Sequence, residues 1–125
     1  MKQHNFPDEM YKEHILELYK NPENFGILED STHERTETNS LCGDEITVQL
    51  NVKDGKVKDA KFQGSGCVMS IVSASLLINK IREMKIEDIK KLNKEDVVKL
   101  LKIKISPARI KCVLLPLNAI KNSLK

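Results

Sequence analysis

The sequence predicts a small α+β domain, in which a three-stranded antiparallel sheet packs against helices on one face. Two adjacent segments alternate apolar and polar residues around Asp54-Gly55, a strong short signal for a β-hairpin turn. Apolar residues recur at helical spacing both before and after this hairpin. With 125 residues the chain is long enough for one hydrophobic core and too short for two, so residues 1–125 are expected to form a single domain.

The first predicted element is a helix that begins at Pro7-Asp8-Glu9 and ends at Asn21-Pro22, since Pro and acidic residues favour the first helical turn. Its apolar stripe contains Tyr11, His14, Ile15 and Leu18. His14 could be a metal ligand, although a packed or partner-facing histidine is more usual on such a stripe. The polar segment 35–39 is expected to form the third strand, at an edge of the sheet.

The turn of the hairpin decides which residues face each other. A two-residue turn at Asp54-Gly55 would place Cys42 opposite Cys67, with Cα atoms about 5 Å apart. A three-residue loop, Lys53-Asp54-Gly55, would instead pair Ile46 with Phe62. We predict the second register because it keeps the apolar side chains of both strands on one face.

Both registers bring Cys42 and Cys67 together at the open end of the hairpin. Residues two apart on a strand point the same way, so Asp44 shares a face with Cys42. Local geometry alone therefore predicts that two thiols and one carboxylate converge.

Helices are predicted for the rest of the chain. One begins at Cys67 and runs to about Met84, and a short helical turn covers 85–91. Another is capped by Asn93 and runs to about Lys102. Because proline is tolerated in the first turn of a helix, Pro116 predicts that the last helix starts near Cys112 or Val113 and ends near Lys121.

Composition argues against several classes of function. The net charge is only +3, no block of five like charges occurs and aromatic residues are few, so nucleic-acid binding is not predicted. The polar N-terminus does not resemble a signal peptide, and the longest uncharged run, 63–79, is too short to span a bilayer. We therefore expect a cytoplasmic protein that does not bind membranes. Three cysteines, an odd number in a reducing compartment, favour metal or thiol chemistry over a disulfide framework.

The residues with the chemistry of a metal site are Cys42, Asp44, Cys67 and Cys112. Three thiolates and a carboxylate suit tetrahedral Zn²⁺ or an iron–sulfur cluster. Alternatively, each cysteine is a small buried apolar residue, as cysteines without a disulfide often are. We favour the metal or thiol interpretation because Cys67 and Cys112 lie at predicted helix starts, where the helix dipole stabilises a thiolate.

Four motifs make the chain resemble the IscU/SufU/NifU-N-terminal family of iron–sulfur cluster assembly scaffold proteins, almost from end to end. They are Asn21-Pro22-Glu23-Asn24-Phe25-Gly26, Cys42-Gly43-Asp44, Gly64-Ser65-Gly66-Cys67 and Pro107-Ala108-Arg109-Ile110-Lys111-Cys112. The resemblance implies a SufE/NifU-like fold, with Cys42, Asp44, Cys67 and Cys112 as ligands of a [2Fe–2S] cluster or iron.

The resemblance also implies a function. Members of the family accept sulfur from a cysteine desulfurase, assemble a transient cluster and pass it to recipient apo-proteins. Cys42 and Cys112 are both candidate persulfide acceptors. Arg109 and Lys111, which flank Cys112 in the sequence, either assist an anionic sulfur species or are simply solvated charges. The expected oligomeric state is a monomer or a weak homo-oligomer.

Two departures separate the chain from the main branches of the family. Lys111 precedes the last cysteine, as in SufU-type proteins, where IscU-type proteins have His. However, segment 93–106 is too short for the SufU-type insertion, and 105–109 lacks the Leu-Pro-Pro-Val-Lys motif by which IscU-type proteins dock a chaperone. The leading interpretation is a cluster scaffold. The alternatives are a SufU-like zinc-dependent sulfurtransferase, with Zn²⁺ on the same ligands, and a structural zinc domain.

Overall fold

The computed structural model describes residues 6–41 and 43–125, with side chains from residue 13 onward. Within these ranges the chain forms five α-helices, three strands and a short 3₁₀ turn. The helices are α1 (Phe6–Lys20), α2 (Val68–Ile81), α3 (Ile86–Ile89), α4 (Lys94–Leu101) and α5 (Ile110–Ser123), and the 3₁₀ turn is Pro107–Arg109. The strands are β1 (His33–Asn39), β2 (Asp44–Lys53) and β3 (Lys56–Ser65).

The predicted fold class is confirmed. The strands form one antiparallel sheet in the order β1-β2-β3, so the polar segment predicted as an edge strand is β1. Along β2 every second side chain is buried, from Asp44 through Ile46 and Val48 to Leu50. This face packs against α2 and α5, which also pack against each other and enclose the core.

The predicted three-residue loop of the hairpin is wrong. Asp54 and Gly55 both have positive φ, 55° and 76°, and the residues on either side of them pair directly. The hairpin therefore turns on two residues, in the conformation that matches the right-handed twist of the strands. Consequently Phe62 faces Val48, and the predicted pairing of Ile46 with Phe62 does not form.

A β-bulge in β3 keeps the apolar side chains on one face despite this shorter turn. Val52 pairs with Val57 but Asn51 pairs with Asp59, so Lys58 is the extra residue. A bulge shifts the in-and-out alternation of side chains by one residue. Val57 therefore points to the same face of the sheet as the apolar residues that follow it on β3. The side chains of Val57, Ala60 and Phe62 are all fully buried.

The helices before and after the sheet begin close to their predicted positions. α1 spans Phe6–Lys20, and its Ile15 and Leu18 are buried, whereas His14 is exposed and does not pack in the core. Cys67 is the N-cap of α2, although α2 ends three residues before the predicted Met84. The predicted cap of α4 is confirmed, because Asn93 and Asp96 form a reciprocal capping box.

The last helix begins earlier than Pro116 had indicated. α5 starts at Ile110, directly after the 3₁₀ turn, so Cys112 lies in its first turn and Pro116 is its seventh residue. A proline inside a helix leaves the carbonyl four residues earlier, here that of Cys112, without its usual N–H donor. The hydroxyl of Ser70 on α2 lies 3.2 Å from this carbonyl oxygen. Tertiary packing therefore compensates for the proline.

In the described part of the chain, no helix has the length and apolar character needed to cross a membrane.

Candidate metal centre

Three of the four predicted ligands meet at one point. The ligand atoms of Asp44, Cys67 and Cys112 all lie within 4.8 Å of one another. They come from the start of β2, the N-cap of α2 and the first turn of α5. The fourth predicted ligand, Cys42, lies outside the described residues.

The loop between β1 and β2 leads the chain into the centre. β1 ends at Asn39, which pairs with Asp44, and the N–H of Gly43 donates to the carbonyl of Asn39 at 2.8 Å. The two residues on either side of position 42, Leu41 and Gly43, are exposed, and Leu41 retains 80% of its accessible surface. The two described residues that flank position 42 are therefore open to solvent.

The N-terminus of α2 is joined directly to Asp44. The N–H of Cys67 donates to Asp44 Oδ1 at 2.8 Å, so the carboxylate satisfies the N–H of the N-cap residue itself. Gly66 allows this approach: its φ is +152°, and a Cβ there would lie only 2.8 Å from Asp44 Cγ. A residue with a side chain would therefore displace the carboxylate.

Polar side chains from α2 and β1 complete the centre. Ser70, one turn along α2, donates from its hydroxyl to Asp44 Oδ2 at 2.7 Å, and its Oγ lies 3.7 Å from Cys67 Sγ. Asn39 Nδ2 points at Cys112 Sγ from 3.9 Å. Asp44, Ser70 and Cys112 are each at most 2% exposed, whereas Cys67 is half-buried.

The carboxyl group of Asp44 is held in its ionised form. Burial raises the pKa of Asp44, but the hydrogen bonds it accepts, led by those from the Ser70 hydroxyl and the Cys67 N–H and joined by both thiols, outweigh this effect. The net pKa of Asp44 is below its ordinary value of 3.8. Asp44 is thus a carboxylate at neutral pH, as metal binding requires.

The donor set fits a soft or borderline cation. Tetrahedral zinc with about 2.3 Å bonds to sulfur holds two thiolates about 3.8 Å apart, and an oxygen ligand slightly closer. Cys67 Sγ and Asp44 Oδ2 are 3.7 Å apart, and no two ligand atoms of the three residues are more than 4.8 Å apart. Zinc or iron could therefore be bound by Asp44, Cys67 and Cys112 with little movement, leaving one position for a further ligand.

Arg109 and Lys111 lie at the start of α5, on either side of Ile110. Both side chains are exposed, and neither makes an ion pair with any residue that the structure describes. Arg109 lines a groove of about 340 Å³ beside Val68 and Met69, the residues that follow Cys67. Lys111 lies with Asn39 along another surface depression.

Two residues of the centre were not anticipated from the sequence. Ser70 was not singled out in the sequence as a site residue. Asn39 was placed only in the polar segment 35–39, which was expected to form an edge strand. A signal for Ser70 was present, because residues three apart on a helix share a face and Ser70 follows Cys67 by three. Asn39 carried no such signal, since its contact depends on where α5 packs.

The chain is similar to known proteins over most of its length. The family model described as the NifU-like N terminal domain matches residues 10–125. The chain is 41% identical to "Iron-sulfur cluster assembly scaffold protein IscU" of Thermotoga maritima, over 93% of each chain. It is 32% identical to "Zinc-dependent sulfurtransferase SufU" of Bacillus subtilis, over 94% of this chain and 90% of that protein.

Solved structures show the same fold. A putative iron–sulfur cluster assembly scaffold protein for the SUF system of Fervidobacterium islandicum matches 94% of this chain and 98% of that one, with a TM-score of 0.75 and 25% identity. The N-terminal part of a NifU-like protein from Brucella abortus matches 94% of this chain and 93% of that one, with a TM-score of 0.74. At 22% identity, this match is evidence for the fold only.

Proposed function

Because the chain belongs to the family of NifU-like N-terminal domains, we propose that it is an iron–sulfur cluster assembly scaffold. In this role it accepts sulfur from a cysteine desulfurase, combines it with iron in a transient [2Fe–2S] cluster and passes the cluster to apo-proteins in the cytoplasm. The observation that carries the proposal is the convergence of Asp44, Cys67 and Cys112 on one point. Cys42 is proposed as the fourth ligand.

The chemistry of the ligands supports a cluster that is held and then released. Thiolates are soft ligands that bind iron strongly, whereas a carboxylate is harder and exchanges more readily. Three thiolates would therefore retain the cluster, while the Asp44 carboxylate provides one ligand position that exchanges readily. A permanent cluster is more often held by four thiolates.

A zinc-dependent sulfurtransferase is the second candidate. Lys111 occupies the position before the last cysteine, as in SufU-type proteins, and a relative over most of the chain carries the name SufU. Zinc accepts both thiolate and carboxylate ligands. In this role Zn²⁺ binds the same four residues, and the desulfurase partner displaces one thiolate, either Cys42 or Cys112, which then accepts the sulfur. Arg109 and Lys111 are proposed to lie beside the anionic sulfur species.

Reconstitution under anaerobic conditions tests the first candidate against the second. The metal-free protein is incubated with ferrous iron, cysteine, a cysteine desulfurase and dithiothreitol, which supplies the electrons that reduce the transferred sulfur to sulfide. The visible absorption and acid-labile sulfide are then measured. We expect a coloured cluster in the wild type and none in Cys67→Ser or Cys112→Ser. Asn118→Ala, at an exposed position of α5, is the control and should form the cluster.

The alternative outcomes are distinct. A colourless protein that retains one tightly bound zinc and strongly stimulates the desulfurase would favour the sulfurtransferase. A structural zinc domain would unfold when a chelator removes the metal. We expect the helical circular dichroism to persist in the chelated protein, because the core that α2, α5 and the sheet enclose consists of packed apolar side chains such as Ile46, Phe62 and Val72.

A further inference from the structure

We infer that Ser70 is the positioning residue of this centre, because its hydroxyl holds the Asp44 carboxylate in place between the two thiols. The inference rests on the proposed binding of metal. Ser70 is fully buried, and its Oγ lies 2.7 Å from Asp44 Oδ2, 3.7 Å from Cys67 Sγ and 3.2 Å from the carbonyl oxygen of Cys112. One hydroxyl thus contacts all three residues.

The two oxygens of Asp44 are each fixed by a different donor. The N–H of Cys67 holds Oδ1, and the hydroxyl of Ser70 holds Oδ2. A carboxylate held at both oxygens cannot rotate freely, yet its remaining lone pairs can still bind a cation. Without the hydroxyl, Oδ2 would lose its strongest donor and the group could turn about the bond to Oδ1. Ser70 therefore fixes the direction in which Asp44 presents its ligand oxygen.

The Cys112 carbonyl is a competing acceptor for the same hydroxyl. Pro116 has no N–H for this carbonyl, so the oxygen lies beside Ser70 instead. A hydroxyl has only one proton to donate, and the shorter distance, 2.7 Å against 3.2 Å, assigns it chiefly to Asp44. Substitutions at 70 and 116 can separate these two contacts.

Ser73 provides a matched control on the same helix. It is 1% exposed, and its hydroxyl donates at 2.7 Å to the carbonyl of Val113, the residue after Cys112. Ser73→Ala therefore removes a buried hydrogen bond between α2 and α5, as Ser70→Ala does, but leaves the ligand side chains untouched. We expect both substitutions to lower stability to a similar degree.

The test measures the affinity of metal-free protein for Zn²⁺ by competition with a chromophoric chelator, and the visible bands of the Co²⁺ form. Groups that orient a metal ligand typically contribute ten- to a hundred-fold to affinity. We expect Ser70→Ala to lower zinc affinity by about this factor and to alter the Co²⁺ bands. Ser73→Ala should match the wild type in both measurements.

The double variant Ser70→Ala/Pro116→Ala separates the carboxylate from the carbonyl. An alanine at 116 supplies the N–H that the Cys112 carbonyl lacks, so the thermal stability should rise above that of Ser70→Ala while the zinc affinity stays low. Pro116→Ala alone should bind zinc as the wild type does. If Ser70→Ala does not fold by circular dichroism, the double variant is compared with Pro116→Ala instead.

The outcomes distinguish this inference from the proposed function. A wild type that binds neither Zn²⁺ nor Co²⁺ would overturn the metal-binding proposal itself. A wild type that binds both, with Ser70→Ala indistinguishable from Ser73→Ala, would overturn only the role of Ser70. Wild-type zinc affinity in the double variant would assign the effect to the Cys112 carbonyl and contradict the role of Ser70 towards Asp44.

Discussion

The carboxylate of Asp44 accepts the backbone N–H of Cys67 at 2.8 Å, which joins the first residue of β2 to the N-cap of α2. A single side chain thereby serves two purposes. It satisfies one of the N–H groups that the start of a helix leaves without a partner, and it stands beside the thiols of Cys67 and Cys112. Fold and candidate site therefore share this residue.

Replacing Asp44 should make the fold less stable and should slow the release of a bound cluster. Asp44→Ala leaves the buried donors of Cys67 and Ser70 without an acceptor, so the free energy of unfolding should fall by about 1–3 kcal/mol while the fold persists. Loss of the hard oxygen ligand leaves thiolates, so a bound [2Fe–2S] cluster should be released more slowly. Zinc, which accepts oxygen ligands, should bind the variant less tightly.

Transfer of the cluster to an apo-ferredoxin, followed by visible circular dichroism, measures the release. Asp59→Ala is the control, since Asp59 is a half-exposed carboxylate that pairs with Arg82 and lies near the hairpin end of β3. Release from Asp44→Ala at the wild-type rate or faster would contradict the role given to the carboxylate.

Gly66 should be essential for the geometry of the centre. Its φ of +152° disfavours any other residue, and a Cβ would press on Asp44 Cγ at 2.8 Å. Gly66→Ala should therefore lower zinc affinity by about ten- to a hundred-fold, because the carboxylate must move. Gly55→Ala is the matched control, with a positive φ of 76° and no atom within 4 Å of the added Cβ.

Both glycine variants should lose about 1–3 kcal/mol of stability from backbone strain. Zinc affinity, measured by chelator competition, should differ between them. Equal zinc affinity in the two variants would mean that the position of the Asp44 carboxylate beside Gly66 is not needed for zinc binding.

The local patterns of the sequence predicted the sheet, the main helices and the approach of Asp44 to Cys67, whereas the position of Cys112 beside them depends on how α5 packs. Asp54-Gly55 identified the hairpin, and the alternation in β2 identified its buried face. The register was wrong because a bulge at Lys58, which has no distinctive sequence signal, accounts for the change in alternation. The predicted start of α5 was wrong because propensity alone does not reveal that the hydroxyl of Ser70, distant in sequence, lies beside the Cys112 carbonyl, to which Pro116 offers no N–H.

Stability should depend on pH through Glu37 on β1. Its carboxylate accepts hydrogen bonds from Asn122 of α5 at 2.7 Å and from Arg35 at 2.9 Å. The bond from Asn122 lowers the pKa of Glu37 most, burial opposes it, and Arg35 lowers it further, so the net pKa is below the ordinary 4.5. The contribution of Glu37 to stability is therefore complete above about pH 4.5 and is lost as pH falls through the lower, folded-state pKa.

Chemical denaturation of the metal-free protein across this pH range checks the prediction. Glu37→Gln should be less stable than the wild type by about 1 kcal/mol near neutral pH, and the difference should shrink below pH 4.5. Glu34→Gln is the control, since Glu34 lies on the same strand and accepts its hydrogen bond from Gln49 of the neighbouring strand. A difference that grows as the pH falls would have the wrong sign for a depressed pKa.

Sulfur should be delivered to Cys42 rather than to Cys112. Attack on a desulfurase persulfide requires a thiolate that the partner can reach, and Cys112 is only 2% exposed. The neighbours of Cys42 in the sequence, Leu41 and Gly43, are both exposed. In the transfer, the acceptor thiolate bonds to the outer sulfur of the persulfide, and the desulfurase cysteine leaves as a thiolate.

After incubation with desulfurase and cysteine, intact-mass spectrometry with thiol alkylation should show the added sulfur in wild type, Cys67→Ser and Cys112→Ser. It should be absent from Cys42→Ser. A persulfide on Cys112 in Cys42→Ser would show instead that the buried thiol becomes accessible when the partner binds.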